Sequence, residues 1–380
     1  MAAHRLGQVE AYLTVREALS ESSTAVPPWA GLSRERSGFC RSRYTTLGLS
    51  STSWSNISPA MHGAYRVYDL PTLVFMGTPE FALPSLKELI AAGAPISLVV
   101  TQPDRPRGRG RKMVAPPVKL LAEAEGIPVY QPQKVKSVEA IERIANLAPA
   151  CIVVVAYGQL LSAEILALPH LGAVNVHASI LPKYRGPAPI NWALIRGEEK
   201  TGITTMLMDI GMDTGDILLQ SEVPIEPKDT AGTLHDRLAE AGAKLLVETL
   251  HLLKKGTLKP RAQDDSQATY APMLVKEDGK IDWNEEAKKI CCRIRGLDPW
   301  PGGFTLWKGK PLKLFGCQPL SISTQARPGT VIAADEGGLQ VASGKGVALI
   351  KTLQLEGRRS LPVADFLRGY SLQVESRFGE

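Results

Sequence analysis

The sequence predicts an α/β fold, with a doubly wound parallel sheet followed by a smaller β-barrel domain. From residue 71 onward, short apolar runs alternate with amphipathic helical stretches, and this β-α-β order is typical of a parallel sheet. After residue 276, short strands are separated by Gly-rich turns, which indicates a small barrel. A length of 380 residues with 44% hydrophobic content provides for two globular domains and a tail.

Composition divides the chain into four parts. We assign residues 1–70 to an N-terminal extension, 71–255 to the sheet domain, 256–275 to a Pro/Gly-containing linker and 276–380 to the β-domain. The extension is rich in Arg and Ser and has no Lys, which favours an organelle transit peptide, although it carries more acidic residues than such peptides usually do. A disordered extension without a targeting role is the alternative.

The sheet domain is predicted to begin with a buried strand from Leu73, a helix over 81–92 and a strand over 96–100. The turn after the first strand has a single glycine instead of G-x-G-x-x-G, so it does not indicate a dinucleotide. The further predicted elements are helices over 117–125, 138–146, 162–168 and 230–253, and strands over 129–133, 151–156, 174–177 and 203–208.

A basic segment lies between the second strand and the next helix. It has five cations within eight residues, namely Arg105, Arg107, Arg109, Arg111 and Lys112. Gly and Pro space these cations and no apolar side chain anchors them, so we expect a mobile loop that becomes ordered on a phosphate backbone. A solvated run of charge is the alternative.

The strand at 174–177 carries polar side chains near its end. Asn175 and His177 alternate with apolar neighbours, so a strand places both on one face. Ligands bind at the strand ends of open α/β sheets, which makes this pair a candidate reacting site, with a buried core histidine as the alternative. The Gly-rich stretch 209–216 adds carboxylates, and a carboxylate beside an imidazole makes a general base with an orienting partner.

The stretch NVHASILPKYRGPAPINWALIRGEEKTGITTMLMDIGMDTGDIL resembles the signature of the folate-dependent formyltransferases. Ala178 and Ile180 depart from the more usual HGSLLP. The resemblance implies formyl transfer from 10-formyltetrahydrofolate as co-substrate, with Asn175 stabilising the oxyanion, His177 as general base and Asp213 orienting His177. The candidate folate contacts lie near the same strand ends: Tyr157, Gln159, Ser179, Leu181 and Pro182.

Two further stretches are similar to the methionyl-tRNA-specific members of that family. The basic segment resembles their insertion that contacts the acceptor end of the tRNA, which implies Arg109 as its critical contact. The C-terminal part resembles their OB-like domain, in which Lys308, Lys310, Arg358 and Arg359 are candidate contacts to the RNA backbone. We therefore expect initiator methionyl-tRNA as partner. A formyltransferase acting on a sugar or ribonucleotide amine, a formate-releasing hydrolase and an RNA-binding protein without catalysis are the alternatives.

Charge and cysteine content set further limits. The net charge is +6, and its excess lies in the last third of the chain, which favours a polyanionic partner. The five cysteines form no CxxC pair and no Cys/His cluster, so we expect a reducing compartment, no metal, and simple burial of Cys291 and Cys292. No apolar run is long enough to cross a bilayer. The leader and the family resemblance together imply an organelle matrix, the mitochondrion with the plastid as the alternative, where formylated initiators would serve translation initiation; we also expect a monomer.

Overall fold

The computed structural model describes residues 68–379, apart from residues 108, 109 and 111. Nearly all of the predicted transit peptide, together with Arg109 and Arg111, therefore lies outside the described residues.

A seven-stranded sheet organises the first domain. Its elements, in chain order, are β1 (Leu73–Gly77), α1 (Leu83–Ala91), β2 (Ile96–Val100), β3 (Arg105–Arg107), β4 (Lys112–Val114), α2 (Pro117–Ala124), β5 (Val129–Tyr130), α3 (Val138–Ala145), β6 (Cys151–Val155), α4 (Ala163–Ala167), β7 (Ala173–His177), α5 (Pro189–Ile195), β8 (Lys200–Leu207), β9 (Ile217–Pro224) and α6 (Ala231–Lys254). The strand order is β5-β2-β1-β6-β7-β8-β9. The first five strands in this order are parallel, and β8 and β9 extend the sheet in antiparallel fashion. The α/β prediction is confirmed.

Helices cover both faces of this sheet. Strand β1 is buried at every position, as its continuous apolar sequence requires. Phe75 packs in the cluster that contains Leu246 of α6, whereas the next residue, Met76, packs in the opposite cluster with Ile144 of α3. Alternate side chains of one strand thus pack in two apolar cores on opposite faces of the sheet. This packing holds the strand ends in fixed positions.

The helix α6 begins where its sequence predicts. The Thr230 hydroxyl accepts a hydrogen bond from the Thr233 backbone N–H at 3.2 Å, and the Thr233 hydroxyl accepts one from the Thr230 N–H at 2.9 Å. This reciprocal capping box satisfies two backbone donors that the first turn of a helix leaves without partners. None of the described helices combines the length and the apolar character needed to cross a membrane.

The basic segment is a short antiparallel hairpin instead of an open loop. Strand β3 pairs with β4, with Arg105 opposite Val114 and Arg107 opposite Lys112. Backbone pairing orders the two arms without a core contact, which is why side-chain patterning alone did not predict it.

In its described part, the C-terminal domain is built from antiparallel strands and two α-helices. Its elements are α7 (Ala287–Gly296), β10 (Phe304–Trp307), β11 (Lys310–Phe315), β12 (Gln318–Leu320), β13 (Val331–Asp335), β14 (Gly338–Ala342), β15 (Val347–Ile350), β16 (Thr352–Leu355), β17 (Leu361–Pro362) and α8 (Val363–Gly369). They form two four-stranded sheets, β10-β11-β16-β17 and β12-β15-β14-β13. Leu314 and Leu353 of the first sheet share one apolar cluster with Val341 and Ile350 of the second, so a single core holds the domain together.

The cysteines differ from the expectation of simple burial. Cys291 of α7 and Cys317 before β12 form a disulfide, with 5.0 Å between their Cα atoms. Cys151 and Cys292 are buried free thiols. Folding brings together two cysteines that are 26 residues apart, and no spacing rule on the sequence indicates that pairing.

The predicted linker is bound to the sheet domain. The backbone of Arg261 pairs with that of Ile217, with N···O distances of 2.8 and 2.9 Å, and the Ala271 N–H donates to the Arg185 carbonyl oxygen at 2.8 Å. We call residues 261–271 the interdomain segment. Because it pairs with the start of β9 and with the loop after β7, it lies beside the polar residues described next.

Candidate active site

Strand β7 presents two polar side chains at its carboxyl end. Val174 and Val176 pack in the core cluster with α6, and Asn175 and His177, on the alternate face of the strand, line a cavity to which Val176 also contributes. Asn175 is half-buried and His177 is buried. The alternation in the sequence therefore predicts correctly that the two residues share a face.

The backbone of Tyr184 determines the tautomer of the His177 ring. His177 Nε2 lies 2.9 Å from the Tyr184 carbonyl oxygen. A carbonyl oxygen only accepts hydrogen bonds, so Nε2 carries a proton, and Nδ1 is the nitrogen with the free lone pair in the neutral ring. Nδ1 in turn lies 3.6 Å from Asp213 Oδ2.

Asp213 joins the pair from the loop after β8. Its Oδ2 accepts a hydrogen bond from the Gly186 N–H at 2.9 Å, and its Oδ1 lies 3.5 Å from Asn175 Nδ2. Gly186 has φ +118°, and a Cβ there would lie 2.8 Å from the Ala271 carbonyl oxygen, so only glycine fits. The amide, the imidazole and the carboxylate therefore converge on one point at the carboxyl end of β7.

The cavity that these residues line has a volume of about 700 Å³ and opens to solvent. Exposed apolar side chains contribute to its wall, including Leu160, Met212 and Met273. A mostly apolar cleft with a few converging polar groups is the usual form of a small-molecule site. A larger groove of about 1050 Å³ between α1, α6 and β9 contains none of the three polar residues.

Two of the predicted folate contacts occupy different environments. Gln159 lines the cavity, while its amide accepts from the Val135 N–H at 2.9 Å and donates to the Gln133 carbonyl oxygen at 3.3 Å. The Tyr157 ring, by contrast, is buried in the core cluster of β6, and burial raises the pKa of Tyr157 to about 12. A pterin contact by the Tyr157 side chain is therefore not supported. The Tyr157 carbonyl oxygen is used by the Thr78 hydroxyl, which donates to it at 2.8 Å.

The other three predicted folate contacts form the turn behind the cavity and do not line it. The Ser179 hydroxyl donates to the Lys183 carbonyl oxygen at 2.6 Å. Leu181 is buried against Met206, and the Pro182 carbonyl oxygen accepts from the Thr269 N–H at 3.3 Å. These residues shape the loop that carries Tyr184 and Gly186, a role that the motif alone does not distinguish from ligand contact.

Sequence reasoning missed two parts of the site. The Tyr184 carbonyl and the Gly186 N–H are backbone groups, which leave no side-chain signal. Gln263 of the interdomain segment donates from Nε2 to the carbonyl oxygens of Asp213 at 2.8 Å and Gly215 at 2.7 Å. No motif or periodicity around Gln263 indicates this contact, because the residue lies in the stretch interpreted as a linker.

The candidate RNA-binding cations lie in two places. Arg105 and Lys112 are exposed on the β3–β4 hairpin, and the Arg105 guanidinium donates to Gln102 Oε1 at 3.1 Å. The backbone of Arg107 lies between them in β3.

The C-terminal cations are exposed at one end of the sheet β10-β11-β16-β17. Lys308 and Lys310 lie at the β10–β11 turn, and Arg358 and Arg359 follow β16. Because β11 and β16 are antiparallel neighbours, the start of β11 and the end of β16 lie together. Lys308 Nζ is also 4.9 Å from the centre of the Trp307 ring, so this lysine has an aromatic neighbour that holds it at the turn.

No cluster of three or more His, Cys, Asp or Glu side chains that could hold a metal ion occurs among the described residues.

Comparison with known proteins gives concordant results for both domains. Residues 72–250 match the formyl transferase family, and residues 273–371 match the formyl transferase C-terminal domain. A methionyl-tRNA formyltransferase of Geobacter sulfurreducens is 51% identical over 308 residues, covering 81% of this chain and 96% of the relative. The enzyme of the same name from Desulforamulus reducens is 53% identical over 308 residues, covering 81% and 97%.

A solved structure has the same fold at low identity. WlaRD, a sugar 3N-formyl transferase crystallised in the presence of dTDP and 5-N-formyl-THF, superimposes with a TM-score of 0.56 at 17% identity, covering 77% of this chain and all of WlaRD. From its two matched domains and its full-length relatives, the chain belongs to the formyltransferase family.

Proposed function

We propose that the protein transfers the formyl group of 10-formyltetrahydrofolate to the α-amine of methionyl-tRNA. The observation that carries the proposal is the convergence of Asn175, His177 and Asp213 on one cavity at the carboxyl end of β7. The relatives that match both domains at about half identity are named methionyl-tRNA formyltransferases, which supports charged tRNA as the acceptor.

The cavity suits a folate co-substrate. Its volume of about 700 Å³ lies in the range of small-molecule sites, and Met212 and Met273 offer flexible apolar surface to a flat ring. When bound, 10-formyltetrahydrofolate supplies the formyl group. Among the predicted folate contacts, Gln159 is the one that the cavity wall includes.

His177 would act as the base through Nδ1. An α-amine has a usual pKa of about 7.7–8.0, so at neutral pH most of it carries a proton that must leave for attack on the formyl carbon. Nε2–H is already committed to the Tyr184 carbonyl oxygen, whereas Nδ1 can accept that proton. His177 then returns this proton to the folate nitrogen as the bond between that nitrogen and the formyl carbon breaks, and the second proton that the attacking nitrogen must lose to become an amide passes to water.

Asp213 and Asn175 would stabilise the charges that this transfer creates. Asp213 Oδ2 lies 3.6 Å from Nδ1, close enough to orient the ring and to face the positive charge that develops on it during proton transfer. The Asn175 amide has two N–H groups, and at most one of them is directed at Asp213. The other is available to the formyl oxygen as negative charge develops on it, in the manner of an oxyanion hole.

The acceptor would be held by cations on the two RNA-facing elements. Exposed Arg105 and Lys112 on the hairpin, and the cations at the start of β11 and after β16, can bind phosphates without sequence readout. Arg109 and Arg111, outside the described residues, complete the predicted hairpin contact. Such binding should weaken steeply with salt, because each phosphate contact releases counterions.

A sugar nucleotide amine is the second candidate acceptor. The fold of WlaRD favours it, but at 17% identity that likeness concerns the fold alone. A C-terminal domain with an exposed basic end favours a polyanionic acceptor, and a formate-releasing hydrolase would not need that domain.

One experiment separates these functions. Purified protein with 10-formyltetrahydrofolate is offered methionyl-tRNA, a dTDP-amino sugar, free methionine and water alone, and formyl products and formate are measured. We expect rapid formylation of methionyl-tRNA with little formate release. A faster reaction with the amino sugar, or release of formate alone, would replace the proposal.

We further propose the mitochondrial matrix as the location, with the plastid as the alternative, and a monomeric state. The leader composition supports the proposed location. Import of a fluorescent fusion to the first 70 residues, and light scattering of the purified chain, test these two proposals.

A further inference from the structure

The interdomain segment reaches the candidate active site although it lies in neither matched domain. The two family matches cover residues 72–250 and 273–371, and Gln263 falls between them. Its side chain nevertheless contacts the loop that carries Asp213. This inference rests on the proposed function, because it assigns a role in the same reaction.

Gln263 holds the backbone on both sides of the carboxylate residue. Its Nε2 donates to the Asp213 carbonyl oxygen at 2.8 Å and to the Gly215 carbonyl oxygen at 2.7 Å, which uses both N–H groups of the amide. Asp213 itself has φ +56°, a left-handed conformation that a non-glycine residue adopts only at a cost and keeps when its surroundings hold it.

A buried arginine fixes the orientation of this amide. Gln263 Oε1 accepts from Arg185 Nε at 3.1 Å and from Arg185 Nη2 at 2.8 Å. Arg185 is only 2% exposed, and its Nη2 also pairs with Asp265 at 2.7 Å. With its oxygen facing the guanidinium, the Gln263 amide must direct its nitrogen to the two carbonyl oxygens.

The same network continues to the imidazole. The Arg185 N–H donates to the Thr269 carbonyl oxygen at 2.8 Å, and the Thr269 hydroxyl accepts from the Tyr184 N–H at 2.9 Å. Tyr184 is the residue whose carbonyl oxygen faces His177 Nε2. The interdomain segment thus contacts both the loop that positions the carboxylate and the turn that positions the imidazole.

We propose that Gln263 is a positioning residue for the formyl transfer, and that the segment joining the two domains thereby sets the catalytic geometry. Gln263 does not line the cavity, so it acts through Asp213. Without it, the left-handed loop can relax, and the carboxylate moves away from His177 and Asn175. A displacement of about 1 Å at a catalytic group can lower the rate by about a hundredfold.

The test uses the full chain with 10-formyltetrahydrofolate and methionyl-tRNA. Gln263→Leu removes both the donors and the acceptor, whereas Gln263→Glu keeps an acceptor for Arg185 and loses the donors to the two carbonyl oxygens. We expect both variants to lower kcat by about ten- to a hundredfold, with KM for the tRNA changed less than about twofold because the RNA-facing cations are untouched. The matched control is Gln267→Leu, an exposed glutamine of the same segment whose side chain donates to Asp264, and it should keep wild-type kcat.

A double-mutant cycle with Asp213→Ala distinguishes positioning from a general structural role. If Gln263 acts through Asp213, Gln263→Leu should lower kcat no further in the Asp213→Ala background. Multiplicative losses in kcat, or wild-type kcat in Gln263→Glu, would overturn the inference. If Gln263→Leu fails to fold, Gln263→Glu carries the same cycle.

The failure of this inference differs from the failure of the proposed function. An active wild type, an impaired Asp213→Ala and a normal Gln263→Glu would reject the positioning role alone. A wild type that does not formylate methionyl-tRNA would instead reject the function on which the role rests.

Discussion

Replacing Asn175 by alanine is the most direct test of the catalytic assignment. The substitution removes the side-chain amide and leaves strand β7 intact, because Val174 and Val176 hold the strand in the core from the other side. If Asn175 donates to the formyl oxygen in the transition state, its loss should affect the reaction far more than the fold.

The structure sets the expected size of each effect. The contact from Asn175 Nδ2 to Asp213 Oδ1 is 3.5 Å, longer than the usual range of about 2.7–3.2 Å. A normal hydrogen bond contributes about 0.5–1.5 kcal/mol to stability, so this one should contribute at or below the lower end. Loss of an oxyanion donor costs about 10² to 10³ in kcat, or about 2.7–4 kcal/mol.

Steady-state formylation kinetics and chemical unfolding of the same preparation measure the two effects. We expect the fall in kcat, expressed as an activation free energy, to exceed the change in the free energy of unfolding severalfold. The control is Asn146→Ala, at an exposed asparagine after α3, which should change neither quantity. A kcat within about threefold of wild type would refute the oxyanion role. A large loss of stability with a proportionate loss of activity would assign Asn175 to the fold.

Three further predictions concern binding and stability. Arg358→Ala combined with Arg359→Ala should raise KM for methionyl-tRNA and leave KM for the folate unchanged. The slope of log KM for the tRNA against log salt concentration should become shallower by about one for each phosphate that the variant no longer binds. Burial raises the pKa of Asp298. The carboxyl therefore lowers the free energy of unfolding as pH rises from its unfolded pKa of about 3.9 through its folded-state pKa. Asp298→Asn should raise Tm at pH 7 and leave it unchanged below a pH of about 3.9. Thr230→Ala breaks the capping box of α6 and should lower the free energy of unfolding by about 1 kcal/mol in denaturant titrations.

Each of these predictions has a contradicting outcome. An unchanged salt slope would remove the two arginines from the RNA interface. An equal Tm gain for Asp298→Asn at both pH values would mean that ionisation is not its cause. An unaltered denaturation midpoint in Thr230→Ala would show that the cap adds nothing beyond the tertiary contacts of α6.

Sequence by itself determined the order of the elements and the identity of the three polar residues. Short apolar runs bounded by turn residues favour buried strands, and β1, β2 and β6 lie close to their predicted positions. The alternation around Asn175 and His177 fixes their shared face, because side chains on a strand alternate with a period of two.

Only the tertiary structure decided how those residues are held. The Tyr184 carbonyl, the Gly186 N–H and the Gln263 amide act through contacts across 7 to 50 residues of sequence. Two of these groups belong to the backbone, which every residue possesses, so no residue type reveals them. Backbone hydrogen bonding also explains why the sequence misled at Tyr157, whose side chain is buried and whose carbonyl oxygen accepts from Thr78. It likewise explains why the interdomain segment, with the polar composition of a linker, is bound to the sheet domain.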